Sequence, residues 1–320
     1  QCIDISRISE GDRPFISNQI RKPFDFESIS QGGRGEMYRR AQQDPLVRAT
    51  GIKNLFRLVS PDRDLEKLSP QFTILDVLGG DGVLARAMQQ VMPSASMPSI
   101  ITSDLSDDMV AAAQEYGLFA IRQPAQSLLL KDNSIDGVII AYGTHHIPKD
   151  QQLQVCKEAF RVLKPGGHIA FHDFEVGSPI SHWFSEVVDP YSLTGHSFPH
   201  FTREEMKGLL FDAGFDDAAV VYMYDPFILS VDTEAEAQSR LAEYLLNMYG
   251  LAKLVDQHGE EEALRFVYSL ALKHLRYDYE RMGMDESFGA PEILISEKDG
   301  HMRIEAPRVA LVGAATKPCN

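Results

Sequence analysis

Cysteine is scarce in this chain, and the few that occur stand apart. Cys2, Cys156 and Cys319 form no CxxC pair, which excludes a disulfide framework and a cysteine-built zinc site and fits a reducing, cytoplasmic setting. Basic residues are also few: 31 Lys and Arg against 46 Asp and Glu, a formal net charge of -15. Affinity for a phosphate backbone comes mainly from clustered Lys and Arg, so no nucleic-acid partner is expected and a small diffusing molecule is the better default. Long apolar runs are missing too. No stretch reaches the roughly 18 uninterrupted apolar residues of a membrane span, and the N-terminal segment, with Asp4, Arg7, Glu10 and Asp12, lacks the apolar core of a signal peptide. Neither membrane insertion nor secretion is expected.

What is present is enough apolar material, 44% of 320 residues, for one large α/β core with additions. Residues 1–70 read as an N-terminal helical cover, with a Gly-rich turn at Gly32 to Gly35, a helix through Glu36 to Arg40 and another from Val47 to Val59 that stops at Pro61. From Phe72 short β-rich runs alternate with helix-period segments. The expected strands are 72–78, 99–104, 118–122, 135–142 and 168–174, and the expected helices 82–91, 107–116 and 149–163, with Pro165 to Gly167 as a stop and turn. Strands joined by single helices imply right-handed crossovers and hence a doubly wound, mostly parallel sheet covered on both faces. Thr202 and Glu205 form a capping box for a helix ending at Gly214, ahead of a strand at 218–224. The core is assigned to 71–231 and 303–320. Between these, 232–302 reads as an insertion of two helices and a hairpin at Lys298-Asp-Gly, walling the substrate side or making a homodimer contact.

The stretch Phe72-Thr-Ile-Leu-Asp-Val-Leu-Gly-Gly-Asp-Gly82 is the first strand and turn of that pattern, the usual ligand site of such sheets. It lacks the GxxxxGK[ST] of a phosphate-binding loop. It also lacks GxGxxG, which leaves a nicotinamide oxidoreductase as the weakest alternative. Asp104-Leu-Ser-Asp-Asp-Met109, Asp132-Asn-Ser-Ile-Asp-Gly-Val138, His145-His146-Ile147 and Glu158-Ala-Phe-Arg-Val-Leu-Lys-Pro-Gly-Gly167 follow in order. Together with Ile74 to Gly82, these five elements resemble the class I S-adenosylmethionine-dependent methyltransferases over about residues 72–174.

The resemblance implies a Rossmann-like methyltransferase fold, S-adenosylmethionine as cofactor and S-adenosylhomocysteine as product. It implies that Asp104 receives the ribose hydroxyls, with Leu105 beside it, and that Gly79, Gly80 and Gly82 let the backbone pass the ribose and methionine moiety. Asp76 faces the cofactor's amino end, directly or through water, and Tyr142 ends the fourth strand at the cofactor. Two departures stand out. Leu78 replaces the family's first glycine, and Pro124 replaces an acid that can hold the adenine amino group, leaving Gln126 or backbone near Ala125 to do so. A chain that binds the cofactor without turnover would carry such departures.

Seven of the ten histidines fall between His145 and His200, beyond the carboxyl ends of the fourth and fifth strands. Histidine suits a general base near neutrality, so His145, His146, His172, His196 and His200 are the catalytic candidates toward a small-molecule acceptor. His172 and Asp173 alternate in direction on one strand. A metal set from His172, Asp173, His196 and His200 has no fixed spacing to support it, and no metal is expected. In the connection 177–201, Trp183, Phe184 and Val187 are expected to pack on the sheet. Arg34, Arg39 and Arg40 are candidates for an anionic group on the acceptor or for a solvated helix face.

Overall fold

The computed structural model describes Ile3 and residues 26–31, 33–298 and 300–319; Cys2, Asp4, Arg7, Glu10, Asp12 and Gly32 lie outside the described residues. The first strands are β1 (Thr73–Asp76), β2 (Ser99–Asp104), β3 (Ala120–Arg122), β4 (Ile135–Ile140) and β5 (Leu163–Asp173). They are followed by β6 (Ala219–Tyr224), β7 (Phe227–Val231), β8 (Leu294–Lys298), β9 (His301–Ala306) and β10 (Val309–Thr316). The main sheet runs β3-β2-β1-β4-β5-β10-β6. Strands β1 to β5 pair in parallel, and β10 is antiparallel to both its neighbours. The order reverses between β1 and β4, so their carboxyl ends open the crevice where such sheets bind ligands.

The buried faces explain the strand runs. β10, Val-Ala-Leu-Val-Gly-Ala-Ala-Thr, is buried along all but its last residue, as a strand covered on both faces must be. The Arg203–Ala213 helix shows the expected capping box of Thr202 and Glu205 and ends at left-handed Gly214, and Trp183, Phe184 and Val187 are all buried. Helix Ala49–Val59 packs on β4, β5 and β6, and helix Gly35–Ala41 packs on the Glu234–Tyr249 helix.

Three particulars differ from expectation. β5 begins at Leu163, and Pro165 to Gly167 form an irregularity inside it: Leu163 pairs with Ile135 and the register resumes with His168 opposite Gly137. Three helices rather than two follow residue 232, Glu234–Tyr249, Ala252–His258 and Glu260–His274, because left-handed Gly250 and Gly259 interrupt an otherwise continuous helical period. Strand β7, unforeseen, leaves the main sheet directly after β6 and pairs with β9 in a second antiparallel sheet, β7-β9-β8. Among the described residues no helix is long and apolar enough to cross a membrane.

Candidate active site

At the carboxyl ends of β1 to β4 the glycine turn borders a cavity of about 370 Å³. Gly80 has φ +53° and Gly82 φ +81°, the left-handed region that glycine enters without penalty. A Cβ on Gly80 would meet nothing nearer than Tyr38 at 4.0 Å, whereas one on Gly82 would stand 2.1 Å from Leu118 Cδ1 and one on Gly79 2.8 Å from Asp76 Oδ2. Gly80 therefore leaves room beside the cavity, while Gly79 and Gly82 permit close packing within the turn. Leu78, Gly80, Asp104 and Leu105 line the cavity, as do Ala125, Gln126 and Tyr142. Asp76, Gly79 and Gly82 lie behind this lining.

The carboxylates around the turn differ in state. Asp104 accepts the Gly80 and Ser106 backbone N–H groups, each at 2.9 Å, and burial raises its pKa against these bonds. Asp76 is 1% exposed and neither oxygen has a partner; burial first, then the Asp104 charge, pushes its pKa up to about 8. Asp81 turns away and pairs with Arg86 at 2.7 Å. A buried carboxyl with no donor, behind a turn that leaves space at Gly80, fits a ligand with a cationic amino group. Asp104 fits a diol, and Gln123, whose buried Nε2 is unpartnered at the lining, fits a heterocycle nitrogen. Gln123 was not foreseen; its place just after β3 was the available signal. Gln126 donates to Gln151 at 2.5 Å.

A second, smaller cavity of about 40 Å³ adjoins the first, and Phe26, Tyr38, Tyr142 and His146 line both. Tyr142 holds φ +60°, a strained conformation for a non-glycine residue, costing about 1 kcal/mol or more. It is clamped there: its N–H donates to His172 Nδ1 at 3.4 Å, its hydroxyl to Asp225 Oδ1 at 2.9 Å, and Arg48 lies 3.6 Å above its ring. Asp225 also takes Arg308 at 2.6 Å. It needs glycine at position 51, where a Cβ would stand 1.7 Å from Asp225 Oδ1.

Four of the five candidate histidines come together. The short turn after β4, Thr144–His146, carries His145 and His146, and the connection from β5 brings His196 and His200. Asp173 accepts the His145 backbone N–H at 2.7 Å and His145 Nδ1 at 2.9 Å on one oxygen. Its other oxygen takes His200 Nδ1 at 3.0 Å and the Phe174 N–H at 2.7 Å. Burial works against this charge, but His145 and His200 hold the Asp173 pKa well below the usual carboxylate range. His145 Nδ1 faces Asp173, and its Nε2 lies 3.1 Å from His196 Nε2. Burial, then His145 and Arg34, lower the His196 pKa to about 2, so a neutral imidazole closes this chain, which ends on one carboxylate. The His146 ring lies tilted beside that of His145 at 4.5 Å, and burial, then His145 and His196, hold its pKa well below the ordinary value. It reaches both cavities as a neutral base. His172 is set apart, fully buried beneath Tyr142 with Nε2 3.6 Å from Asp225.

Nitrogen and oxygen atoms of His145, His146 and His196, and of His145, Asp173 and His200, lie within metal-ligand reach of one another. The His145–His196 contact is equally satisfied as a hydrogen bond.

A methyltransferase-domain family matches residues 74–167. The ubiquinone/menaquinone biosynthesis C-methyltransferase UbiE of Stenotrophomonas maltophilia is 26% identical over 177 residues, 47% of this chain and 68% of that protein. That of Francisella philomiragia is 26% identical over 172 residues, 45% and 66%. The chain thus spans about two thirds of the curated relatives it matches. Among solved structures, Haemonchus contortus phosphoethanolamine N-methyltransferase 2 in complex with S-adenosyl-L-methionine aligns over 82% of this chain and 51% of that one, at 19% identity and TM-score 0.48. A SAM-dependent methyltransferase from Archaeoglobus fulgidus aligns over 75% and 88%, at 17% and 0.41.

Proposed function

We propose, for a chain that belongs to the class I S-adenosylmethionine-dependent methyltransferases and uses that cofactor, that the methyl acceptor is a small molecule seated at the junction of the two cavities, with His146 as its base. The observation that carries this reading is the junction: Phe26, Tyr38, Tyr142 and His146 line both cavities. S-adenosylmethionine, when bound, supplies an electrophilic methyl group on a positively charged sulfur. The residues to hold it are Asp104 for the ribose hydroxyls, Gly80 for backbone passage, Asp76 for the amino group and Gln123 for the base. Ring faces at the junction favour a cation.

His146 needs no deprotonation before it acts, since its pKa lies well below 6.5, and its ring makes no hydrogen bond among the described residues that would occupy it. It takes the proton that the acceptor's nucleophile gives up. His145, His196, His200 and Asp173 fix the turn that carries it and close the site to water, which sharpens alignment for an in-line displacement. The relatives named for quinone biosynthesis support a biosynthetic acceptor.

The test is a screen of phenolic and carboxylic small molecules for a mass gain of one methyl group. His146→Ala should lower kcat by about 10²-fold or more while affinity for S-adenosylhomocysteine changes only a few-fold. Unchanged kcat in that variant would remove His146 from the mechanism, and methyl incorporation into macromolecules alone would remove the small acceptor.

A further inference from the structure

The second cavity has a charge pattern opposite to that of the whole protein. Arg34, Arg48 and Arg308 line it at 4%, 2% and 3% exposure, and among the described residues no carboxylate does. The acids behind the lining are already engaged: Asp225 receives Arg308 and the Tyr142 hydroxyl, and Asp173 faces His145 and His200. Arg34 reaches the Met248 carbonyl at 3.5 Å and the Phe26 ring at 5.1 Å. Arg48 is the exception. Among the described residues it forms no ion pair within 4.0 Å, its bond to the Tyr38 hydroxyl is long at 3.5 Å, and its Nε is buried without an acceptor.

Guanidinium does not shed its proton in proteins, and a buried charge without a hydrogen-bonded partner is costly. The Tyr142 ring face offsets part of that cost but accepts no N–H. An oxyanion entering the cavity would satisfy Arg48 with the fork geometry for which arginine is suited. The cavity is the size of such a group and little more, at about 40 Å³.

We propose that the second cavity is an anion subsite, built on Arg48 with Arg34 and Arg308, which binds a carboxylate of the methyl acceptor. The substrate class is therefore a small organic acid whose accepting atom reaches the junction beside His146. This deepens, and rests on, the methyl-transfer reading above. Discrimination follows from the chemistry: an ester or amide in the same place leaves Arg48 unpaired.

The experiment is calorimetry on the whole chain, titrated first with S-adenosylhomocysteine, then, with and without it, with benzoate, benzamide and sulfate. Benzoate and sulfate are expected to compete for one site and benzamide to bind at least about tenfold more weakly, the least expected for losing a charge-assisted contact. Arg48→Gln should weaken benzoate by a similar factor and S-adenosylhomocysteine by clearly less, and Arg40→Gln, at an exposed arginine, should change neither. Benzoate no tighter than benzamide in the unmodified protein, including no binding of either, overturns the subsite without recourse to any variant. So does undiminished benzoate binding in Arg48→Gln. Failure of S-adenosylhomocysteine to bind speaks instead against the parent reading.

Discussion

Asp173→Asn is expected to destabilise the protein by about 3 to 5 kcal/mol, the range for breaking a buried charged pair, and to lower kcat by about a hundredfold or more. Its two oxygens face four N–H donors, and two of these are backbone: His145 N on one oxygen and Phe174 N on the other. An amide has one acceptor and one donor end. Whichever way it is turned, its NH₂ group meets a buried backbone N–H that no change of tautomer can relieve. The histidines can flip; the backbone cannot. The turn carrying His146 is tied to β5 through that same backbone bond, so the base loses its position while Leu78, Gly80 and Asp104 keep theirs across the cofactor cavity. The measurements are chemical denaturation and steady-state kinetics, with the loss expected in kcat and little change in KM for the cofactor.

The pH dependence separates this from a packing defect. The Asp173 pKa is depressed in the folded protein relative to about 4 in the unfolded chain. Its stabilisation is therefore present above pH 4 and lost as pH falls toward the folded value. The asparagine variant should lack this part of the acid limb and approach the parent protein in stability as pH drops below about 3. A constant difference at all pH values would show that the carboxylate charge is not what matters.

The parts legible in the sequence were those whose signal is local. Strand period, the glycine turn and the Thr202 capping box are set within a few residues, and each is found within a few residues of where the pattern put it. The histidine cluster was legible because its members crowd into one stretch beyond two strand ends. Arg48, Asp225 and Arg308 were not: Asp225 and Arg308 meet across 83 residues, Arg48 comes from the N-terminal cover, and nothing near any of them in sequence marks a site. Arg34, Arg39 and Arg40 read alike in the sequence, as anion contacts or as a solvated helix face; Arg34 is buried and lines the second cavity, whereas Arg40 is exposed. Strand β7 was missed for a related reason. Asp225-Pro226 marks a break after β6, but only the pairing of β7 with β9, some 75 positions on, tells that the chain has changed sheets.

Asp76→Asn is expected to remove a proton release that accompanies cofactor binding and to weaken that binding by roughly 10- to 100-fold, the worth of a hydrogen bond to a charged group. With its pKa at about 8, Asp76 is mostly protonated at pH 7 in the free protein. An ammonium group brought against it favours the carboxylate, so binding at pH 7 should expel close to one proton, and by pH 9 almost none. Calorimetry with S-adenosylhomocysteine in buffers of different ionisation enthalpy measures this directly. The same carboxyl shapes stability with the opposite sign to Asp173. The folded state holds a proton that the unfolded chain gives up near pH 4, so stability declines as pH rises from about 4 to 8. With a shift of this size, the contribution lost is of order 5 kcal/mol at most. The asparagine variant, which cannot ionise, should lack this decline and be the more stable form at pH 9 without cofactor. Proton release that persists in Asp76→Asn would move the coupling to Asp104, whose pKa is also raised by burial, and would leave the unpartnered carboxyl of Asp76 without a part in binding.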